Sequence, residues 1–312
     1  MGSSFSDHSR ASLSPQLRPW RSGALRVDRV SVPIADLPDP LVGTTIVQLS
    51  DFHFDGLRLS KALLEAAIAE SNAIQPDLVC LTGDFVTDDP SPIEELGPQL
   101  GRLRSRYGTY AVLGNHDIVT RSGRLHIIDA LYRADIAVLW NEVAYPLGGG
   151  LPLVGLADLW SGECQPAPLL SALSPTTPRL VLAHNPDTAD RLLPWRSDLQ
   201  LSGHTHGGQV VLPGLGSVPQ IMRRVRPYLP RRLTERIPYM SETCDRVVKH
   251  WEWALGLHHL RDRYLYVNRG LGTYFPGRLF CPPELTVITL VAATPAEAAP
   301  RLGNGDRFRS PG

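Results

Sequence analysis

Short apolar runs alternate with helix-length segments through the first half of the chain. Most of these runs are apolar over their whole length, as expected for strands whose two faces are both buried. The predicted strands cover residues 25–34, 45–50, 77–82 and 109–113. The helices between them are predicted at 61–70 with Ser60 as N-cap, after Ser91-Pro92, and through Leu125, Ile128 and Leu131. Strands separated in this way are typical of β-α-β units and a mainly parallel sheet.

After about residue 136 the pattern changes, because further apolar runs follow with fewer helical segments between them. These runs cover residues 138–139, 151–155, 179–183, 198–202, 264–267 and 285–290. They predict a second sheet packed against the first. The expected fold class is therefore α/β, as a four-layer α/β/β/α sandwich of two packed mixed sheets with a helix layer outside each. Three consecutive glycines at 148–150 predict a hairpin turn.

Five of the predicted strands run directly into aspartate, asparagine or histidine. The motifs are Asp51-Phe-His53, Gly83-Asp84, Gly114-Asn-His-Asp117, His184-Asn-Pro-Asp187 and Gly203-His-Thr-His206. In α/β sheets ligands bind beyond the carboxyl ends of strands, so five such ends converging would form one polar site. A single motif of this kind is more often structural, and the prediction depends on the whole set. The glycines suit positions that the backbone must approach closely.

The donor types narrow the chemistry of this predicted site. Carboxylates, a carboxamide oxygen and imidazoles occur without a thiolate, a mixture that suits Mn, Fe or Zn in a catalytic site better than a structural zinc. Five of the ten histidines lie in the strand-end motifs. The other five are predicted to be structural or solvated, and they are His8, His126, His250, His258 and His259. No P-loop, nucleophile elbow or dinucleotide fingerprint competes with this interpretation.

Composition limits the expected partners and location. The chain has 312 residues, a length sufficient for one large domain or two small ones. Of these residues 43% are hydrophobic and 20% are charged. Its formal net charge is zero, so no nucleic acid partner is expected. The four cysteines show no C-x-x-C spacing, and residues 1–22 contain no apolar run typical of a signal peptide or membrane span. We therefore expect a cytoplasmic protein, with peripheral contact to a membrane as the alternative. Nothing in the sequence predicts an oligomeric state.

The expected boundaries are a disordered leader over 1–22, one domain over 23–292 and a disordered tail over 293–312. Residues 219–263 fit the strand pattern poorly, since they mix arginines with apolar side chains. This segment follows the Gly203 motif closely and is predicted to lie at the rim of the site. Two interpretations stay open. It is either a cap that grips an anionic substrate or rests on a membrane surface, or an ordinary surface insertion with solvated arginines.

The ordered series of strand-end motifs resembles the calcineurin-like metallophosphoesterase superfamily over roughly residues 44–291. Four longer phrases are similar to one bacterial branch of it. They are Gln48-Leu-Ser-Asp51, Leu201-Ser-Gly-His-Thr-His-Gly-Gly-Gln209, Arg269-Gly-Leu-Gly272 and Pro282-Pro-Glu284. That branch includes membrane-associated phosphoesterases and enzymes that cleave the pyrophosphate of a UDP-linked acyl sugar.

The resemblance implies a dinuclear centre with two divalent metal ions, which would be Mn, Fe or Zn. The implied ligands are Asp51, His53 and His206 for the first ion, Asn115, His184 and His204 for the second, and Asp84 as the bridge between them. Each of these residues belongs to one of the strand-end motifs. The resemblance therefore gives every motif a part in metal binding.

The same resemblance implies catalytic and substrate-binding roles for the Gly114 motif. His116 would contact the substrate phosphate or protonate the leaving oxygen, Asn115 would help to bind the substrate, and Asp117 would orient His116. One departure concerns the acidic residue that the family often has three positions after the bridging aspartate. Here that position is Thr87, and the acid is Asp88. The departure affects the surroundings of the site and leaves the expected metal ligands unchanged.

The resemblance implies a metal-dependent phosphohydrolase in which a metal-activated hydroxide attacks phosphorus opposite the leaving group. The expected substrate is a small phosphorylated molecule. It is either a soluble phosphate ester or an amphiphile, such as a lipid-linked or UDP-acyl-sugar pyrophosphate hydrolysed at the membrane surface. A non-catalytic protein-binding scaffold is disfavoured because every ligand position and His116 are filled. A nuclease is disfavoured because the chain lacks a basic stripe interleaved with aromatic residues.

Overall fold

Two six-stranded mixed sheets packed face to face form the centre of the molecule. The computed structural model describes residues 23–230, 234, 247–274 and 277–294. The predicted leader over 1–22, and the predicted tail from residue 295 onwards, lie outside the described residues. The strands of the first sheet are β1 (Arg26–Ile34), β2 (Thr45–Leu49), β3 (Leu78–Leu81), β4 (Thr109–Ala111), β5 (Ile136–Val138) and β14 (Glu284–Ala292).

The first sheet has the strand order β1-β14-β2-β3-β4-β5. Strands β2 to β5 are parallel, as the β-α-β pattern of the sequence predicts. The chain returns at its end to place β14 antiparallel to β2 and parallel to β1. Because of this arrangement, the carboxyl ends of β2, β3 and β4 lie side by side at one edge of the sheet.

The second sheet repeats this arrangement with strands from the rest of the chain. Its strands are β6 (Glu142–Ala144), β7 (Leu153–Gly155), β8 (Leu180–Leu182), β9 (Leu199–Ser202), β12 (Gly256–Leu260) and β13 (Arg263–Val267). The order is β12-β13-β9-β8-β7-β6, with parallel pairing from β13 to β7 and antiparallel strands at both edges. Two short strands, β10 (Val211–Leu212) and β11 (Gly216–Ser217), form a separate hairpin.

Among the described residues, six α-helices lie outside the sheets. They are α1 (Lys61–Ile74), α2 (Ile93–Leu100), α3 (Arg121–Arg133), α4 (Pro166–Ala172), α5 (Thr188–Arg191) and α6 (Val218–Val225). The predicted N-cap of α1 is confirmed, since Ser60 Oγ accepts a hydrogen bond from Leu63 N at 3.2 Å. The helix extends past residue 70 and ends where Gln75 adopts a left-handed conformation. In the described part of the chain, no helix has both the length and the apolar character needed to cross a membrane.

The packing confirms the predicted α/β/β/α sandwich. Successive residues of β2 point to opposite layers, so that Ile46 lies in the core between the sheets and Val47 packs against the outer helices. Helices α1 to α3 cover the first sheet, while α4 and α5 cover the second. Gln48 joins the two sheets across the core, because its Nε2 donates to the Ser202 carbonyl at 2.9 Å.

Two edge strands differ from the sequence-based prediction. β6 was not predicted, although the predicted turn at 148–150 does join it to β7 as an antiparallel hairpin. β12 lies inside 219–263, the segment predicted as a cap, yet it pairs along its length with β13. A cap must therefore end before Gly256. β12 was missed because an edge strand is half solvated, and Leu257 is an exposed apolar residue in it. Residues 231–233 and 235–246 of the predicted cap lie outside the described residues.

The core between the sheets should dominate the stability of the fold. We expect Leu201→Ala to lower the free energy of unfolding by about 2–5 kcal/mol, because Leu201 is fully buried between the sheets. Leu125→Ala is the matched control. Leu125 was predicted on the apolar face of α3 but is 54% exposed, so its loss should change stability by only about 0.5 kcal/mol or less. Urea unfolding curves measure both, and equal losses would contradict this assignment of the core.

Candidate metal centre

The predicted ligands occupy abrupt turns at the ends of the strands. Five of them have positive backbone φ angles, a left-handed region that non-glycine residues generally avoid. They are Asp51 (φ 49°), His53 (φ 44°), Asp84 (φ 54°), His204 (φ 71°) and His206 (φ 51°). Such conformations cost about 1–3 kcal/mol each and persist at functional sites where the surrounding structure enforces them. These turns bring strand ends from both sheets into one buried cluster.

Glycines next to these turns leave room for the ligand side chains. A Cβ atom on Gly114 would lie 2.6 Å from Asp84 N and 2.7 Å from Asp84 Cγ, well inside van der Waals contact. A Cβ atom on Gly203 would overlap the carboxylate of Asp51 in the same way. The close approach expected of these glycines is therefore present, and each one leaves room for a carboxylate that follows another strand, β3 for Gly114 and β2 for Gly203.

Four donors form the first group, and all four are buried. His53 Nε2 lies 3.0 Å from His206 Nε2, which in turn lies 3.4 Å from Asp51 Oδ1. His53 Nε2 also lies 3.4 Å from Asp84 Oδ2. The ligand atoms of the group all lie within 4.8 Å of one another, a spacing that one metal ion can span.

A second group of three buried donors shares Asp84 with the first. His184 Nε2 lies 3.1 Å from Asp84 Oδ2 and 3.2 Å from His204 Nδ1. The other oxygen of Asp84 accepts a hydrogen bond from His116 N at 2.9 Å. One carboxylate therefore belongs to both donor groups and also holds the loop that follows β4.

Three of the four clustered imidazoles use their second ring nitrogen to contact an oxygen outside the cluster. His184 Nδ1 donates to Thr82 O at 2.6 Å, and His204 Nε2 donates to Val247 O at 3.0 Å. His53 Nδ1 lies 2.8 Å from the hydroxyl of Tyr274. Such partners fix the tautomer and direct the remaining nitrogen inward, as at metal sites in general.

Burial sets the protonation of this cluster. It lowers the pKa of His53 to about 3 and that of His204 to about 4, so both rings are neutral, the form that binds metals. Burial, together with the charge of Asp84, raises the pKa of Asp51 to about 6. For His184 burial is outweighed by the Asp84 carboxylate, which raises the pKa of the imidazole.

Two further observations show that cations fit these residues. The ring nitrogens of His53 and His206 face each other at 3.0 Å, an arrangement in which both rings can offer a lone pair to one cation. Asn115 Oδ1 is buried and has no hydrogen-bond donor among the described residues, although buried acceptors are nearly always satisfied. Oxygen and imidazole donors without thiolate suit divalent ions of the Mn, Fe and Zn type.

His116 lies beside the cluster and differs from it in exposure. Its side chain is 29% exposed, and its ring stands edge-on to His53 with centroids 5.0 Å apart. The ring contacts Thr87 O at 2.7 Å and Asp88 Oδ1 at 3.3 Å through Nδ1. Asp88, one position beyond the acid expected from the resemblance, therefore contacts His116 directly.

The orienting role of Asp117 stays a prediction, and the contacts of its side chain are with the backbone. Asp117 Oδ1 accepts hydrogen bonds from Phe85 N at 2.8 Å and Val86 N at 3.2 Å, while Oδ2 accepts one from Gly114 N at 2.8 Å. These bonds occupy both carboxylate oxygens, and the ring of His116 contacts other residues. Asp117 thus ties the loops after β3 and β4 together and positions the backbone around His116.

Sequence reasoning missed three residues of the site. Tyr274 contacts His53 and also packs edge-on against His206 at 5.2 Å between ring centroids. Trp160 places its ring 5.5 Å from that of His204, and Val247 supplies the carbonyl that accepts from the same histidine. Only Tyr274 had a signal, since it comes two residues after the Arg269-Gly-Leu-Gly272 phrase. The other two come from loops that follow no strand-end motif.

Comparison with known proteins identifies the family of this centre. The family model for the calcineurin-like phosphoesterase matches residues 44–208, just over half of the chain. The chain belongs to the calcineurin-like phosphoesterase family. This confirms the resemblance seen in the motifs and makes the protein a hydrolase of phosphate esters. Family membership and the buried Asp/His clusters together indicate that this phosphoesterase binds divalent metal ions.

Curated relatives extend the likeness over most of the chain. The phosphoesterase is 35% identical to phosphodiesterase YaeI of Escherichia coli, over 79% of this chain and 82% of the relative. It is 28% identical to UDP-2,3-diacylglucosamine pyrophosphatase LpxG of Chlamydia trachomatis, over 85% of this chain and 88% of the relative. It is also 30% identical to an uncharacterized metallophosphoesterase, YkuE of Bacillus subtilis, with 81% of each chain covered.

The packing of Gly114 against Asp84 can be tested by metal content. We expect Gly114→Ala to lose most of the Mn²⁺ bound by the wild type, because the added Cβ would displace the carboxylate shared by both donor groups. Gly149→Ala is the control, since nothing lies within 4 Å of its Cβ position. Elemental analysis after dialysis gives the metal per chain, and circular dichroism checks folding. Equal metal content in the two folded variants would contradict the expected role of Gly114.

Proposed function

We propose that this phosphoesterase uses two divalent ions to hydrolyse a phosphodiester or a pyrophosphate. The observation that carries the proposal is the position of Asp84. Its Oδ2 lies 3.4 Å from His53 Nε2 and 3.1 Å from His184 Nε2, so one carboxylate faces both donor groups. Paired catalytic ions are held about 3.5–4 Å apart, a spacing that a shared carboxylate supports.

Each ion would take ligands from both sheets. The proposed ligands are Asp51, His53 and His206 for one ion, Asn115, His184 and His204 for the other, and Asp84 for both. When bound, the ions would supply positive charge to the phosphoryl oxygens and lower the pKa of an attacking water. The donor set favours Mn, Fe or Zn. Because the two sheets contribute to both ions, the centre depends on their packing.

His116 is the residue that we assign to proton transfer. Its Nδ1 is held by Thr87 O and Asp88, which leaves Nε2 available to the oxygen of a leaving group. Negative charge collects on that oxygen as the bond to phosphorus breaks, and a proton from Nε2 would neutralise it. Its partial exposure, in contrast to the buried ligands, allows a substrate to reach it. The amide of Asn115 adjoins it and would help to bind the phosphate.

The relatives favour a phosphorus atom that carries two substituents. The Escherichia coli relative is named a phosphodiesterase and the Chlamydia trachomatis relative a pyrophosphatase. In a diester and in a disubstituted pyrophosphate, the attacked phosphorus carries two bridging oxygens. We therefore propose that this chain prefers such substrates to phosphate monoesters.

One surface feature favours an amphiphilic substrate at a membrane. α6 and the turn that follows it expose Val225 at 41% and Tyr228 at 86%. The same segment carries three arginines, at positions 223, 224 and 226. Apolar and cationic side chains on one short helix suit an anionic lipid surface. We propose that the protein lies peripheral to a membrane and that its substrate has a lipid-like part.

The proposed function is tested with p-nitrophenyl phosphate and bis-p-nitrophenyl phosphate. Chelator-stripped protein should be inactive, and Mn²⁺ or Zn²⁺ should restore hydrolysis with the diester preferred. His116→Ala should lower kcat by about 10²- to 10⁴-fold with metal content unchanged, as expected for loss of an acid catalyst. Asp84→Asn should lose both activity and metal, because it removes the shared charge.

The control is His126→Ala. His126 is a partly exposed histidine of α3 whose ring lies 3.2 Å from Glu94, remote from the donor groups. Its variant should keep wild-type activity and metal content. Hydrolysis that persists without metal, or a His116→Ala variant as active as His126→Ala, would disprove the proposal.

A further inference from the structure

A cleft of about 380 Å³ lies outside the two donor groups, and the hydrolysis proposed above does not use it. Its walls are formed by the start of α3 and by the loop between β7 and α4. The lining residues are Ile118, Arg121, Arg124, Ser161 and Glu163. Four of the five side chains are polar or charged, which indicates a polar ligand.

The position of the cleft relative to the centre follows from two chain neighbours. Ile118 comes directly after Asp117, which ties together the loops that carry Asp84 and His116. Ser161 comes directly after Trp160, whose ring contacts the ring of His204 at 5.5 Å between centroids. Two lining residues are therefore chain neighbours of residues that contact the centre, and Ser161 is the one on the side of His204. A group attached to a phosphate bound at the centre could extend into the cleft.

Two guanidinium groups and one carboxylate set the charge of the cleft. Arg124 Nη1 pairs with Glu163 Oε1 at 2.9 Å, and the Arg124 guanidinium lies 4.6 Å from the centre of the Trp140 ring. Glu163 is held in addition by Trp140 Nε1, which donates to its Oε2 at 2.8 Å. Among the described residues, no ion pair engages Arg121. The two arginines and one glutamate give the cleft a net charge of one positive unit. Arg121 is the arginine whose N–H groups are available to a ligand.

We propose that this cleft binds the phosphoryl group of the substrate that is not attacked. The proposal rests on the proposed function, because it places the attacked phosphorus at the metal centre. Arg121 would bind the second phosphate through its planar fork of N–H donors, and Arg124 would add charge from a fixed position. Glu163 limits the attraction by pairing with Arg124. The cleft therefore selects pyrophosphate-containing substrates over esters with a single phosphate.

Binding of UMP and UDP to the manganese-loaded full chain tests the proposal. The two probes differ by one phosphate, so the ratio of their dissociation constants measures the contribution of the second phosphate. We expect UDP to bind about tenfold tighter than UMP or better, in line with a charge-assisted hydrogen bond. Arg121→Gln should bring the ratio close to one, whereas Glu163→Gln should increase it because Arg124 loses its counter-charge.

Arg133→Gln is the matched control, because Arg133 ends the same helix and pairs with Glu94 and Asp129 away from the cleft. Its ratio should equal that of the wild type. Wild-type affinities that do not differ between UMP and UDP, or a ratio unchanged in Arg121→Gln, would overturn the proposal. Titration calorimetry reads these affinities, with each variant made in the His116→Ala background so that hydrolysis of UDP is slow. Failure of the wild type to hydrolyse bis-p-nitrophenyl phosphate would instead count against the proposed function alone.

Discussion

The buried carboxylate of Asp84 lies between imidazoles from both sheets, 3.4 Å from His53 Nε2 and 3.1 Å from His184 Nε2. Its other oxygen accepts the backbone N–H of His116. Burying a carboxylate without such partners would cost much free energy. The groups that contact Asp84 must therefore stay in place for the carboxylate to remain buried. The constraint reaches the backbone as well, because only glycine at position 114 leaves room for the carboxylate. The donor groups and the loop that carries His116 are thus organised around one side chain.

This organisation requires the two sheets to pack in one register. β2, β3 and β4 lead to Asp51 and His53, to Asp84 and to His116, whereas β8 and β9 lead to His184, His204 and His206. The apolar layer between the sheets and the bond from Gln48 to Ser202 hold the strand ends opposite each other. Burial in that layer stabilises the fold enough to maintain left-handed backbone at five of the proposed ligands. The strain is local, while the stabilising energy comes from the whole sandwich.

Loops outside the sheets complete the centre. Tyr274 and Val247 contact the outward nitrogens of His53 and His204, so they help to decide which ring nitrogen faces the donor group. Val247 belongs to the far end of the predicted cap, and this end is anchored by Asp187, which accepts hydrogen bonds from Lys249 N and His250 N. Backbone groups of residues 247–250 therefore attach this part of the chain to His204 and Asp187.

The two-sheet sandwich and the set of strand-end donors were predictable from the sequence alone, because buried strands and the polar residues that end them are local features. The family follows from the same ordered motifs. Only the tertiary structure showed that Asp84 faces both donor groups, that Asp117 binds backbone rather than His116, and that Tyr274 belongs to the site. β12 was hidden for a related reason, since a half-solvated edge strand has a weak apolar pattern. Contacts between residues distant in the chain depend on how the sheets and loops pack. That packing cannot be predicted from the local pattern of apolar and polar residues.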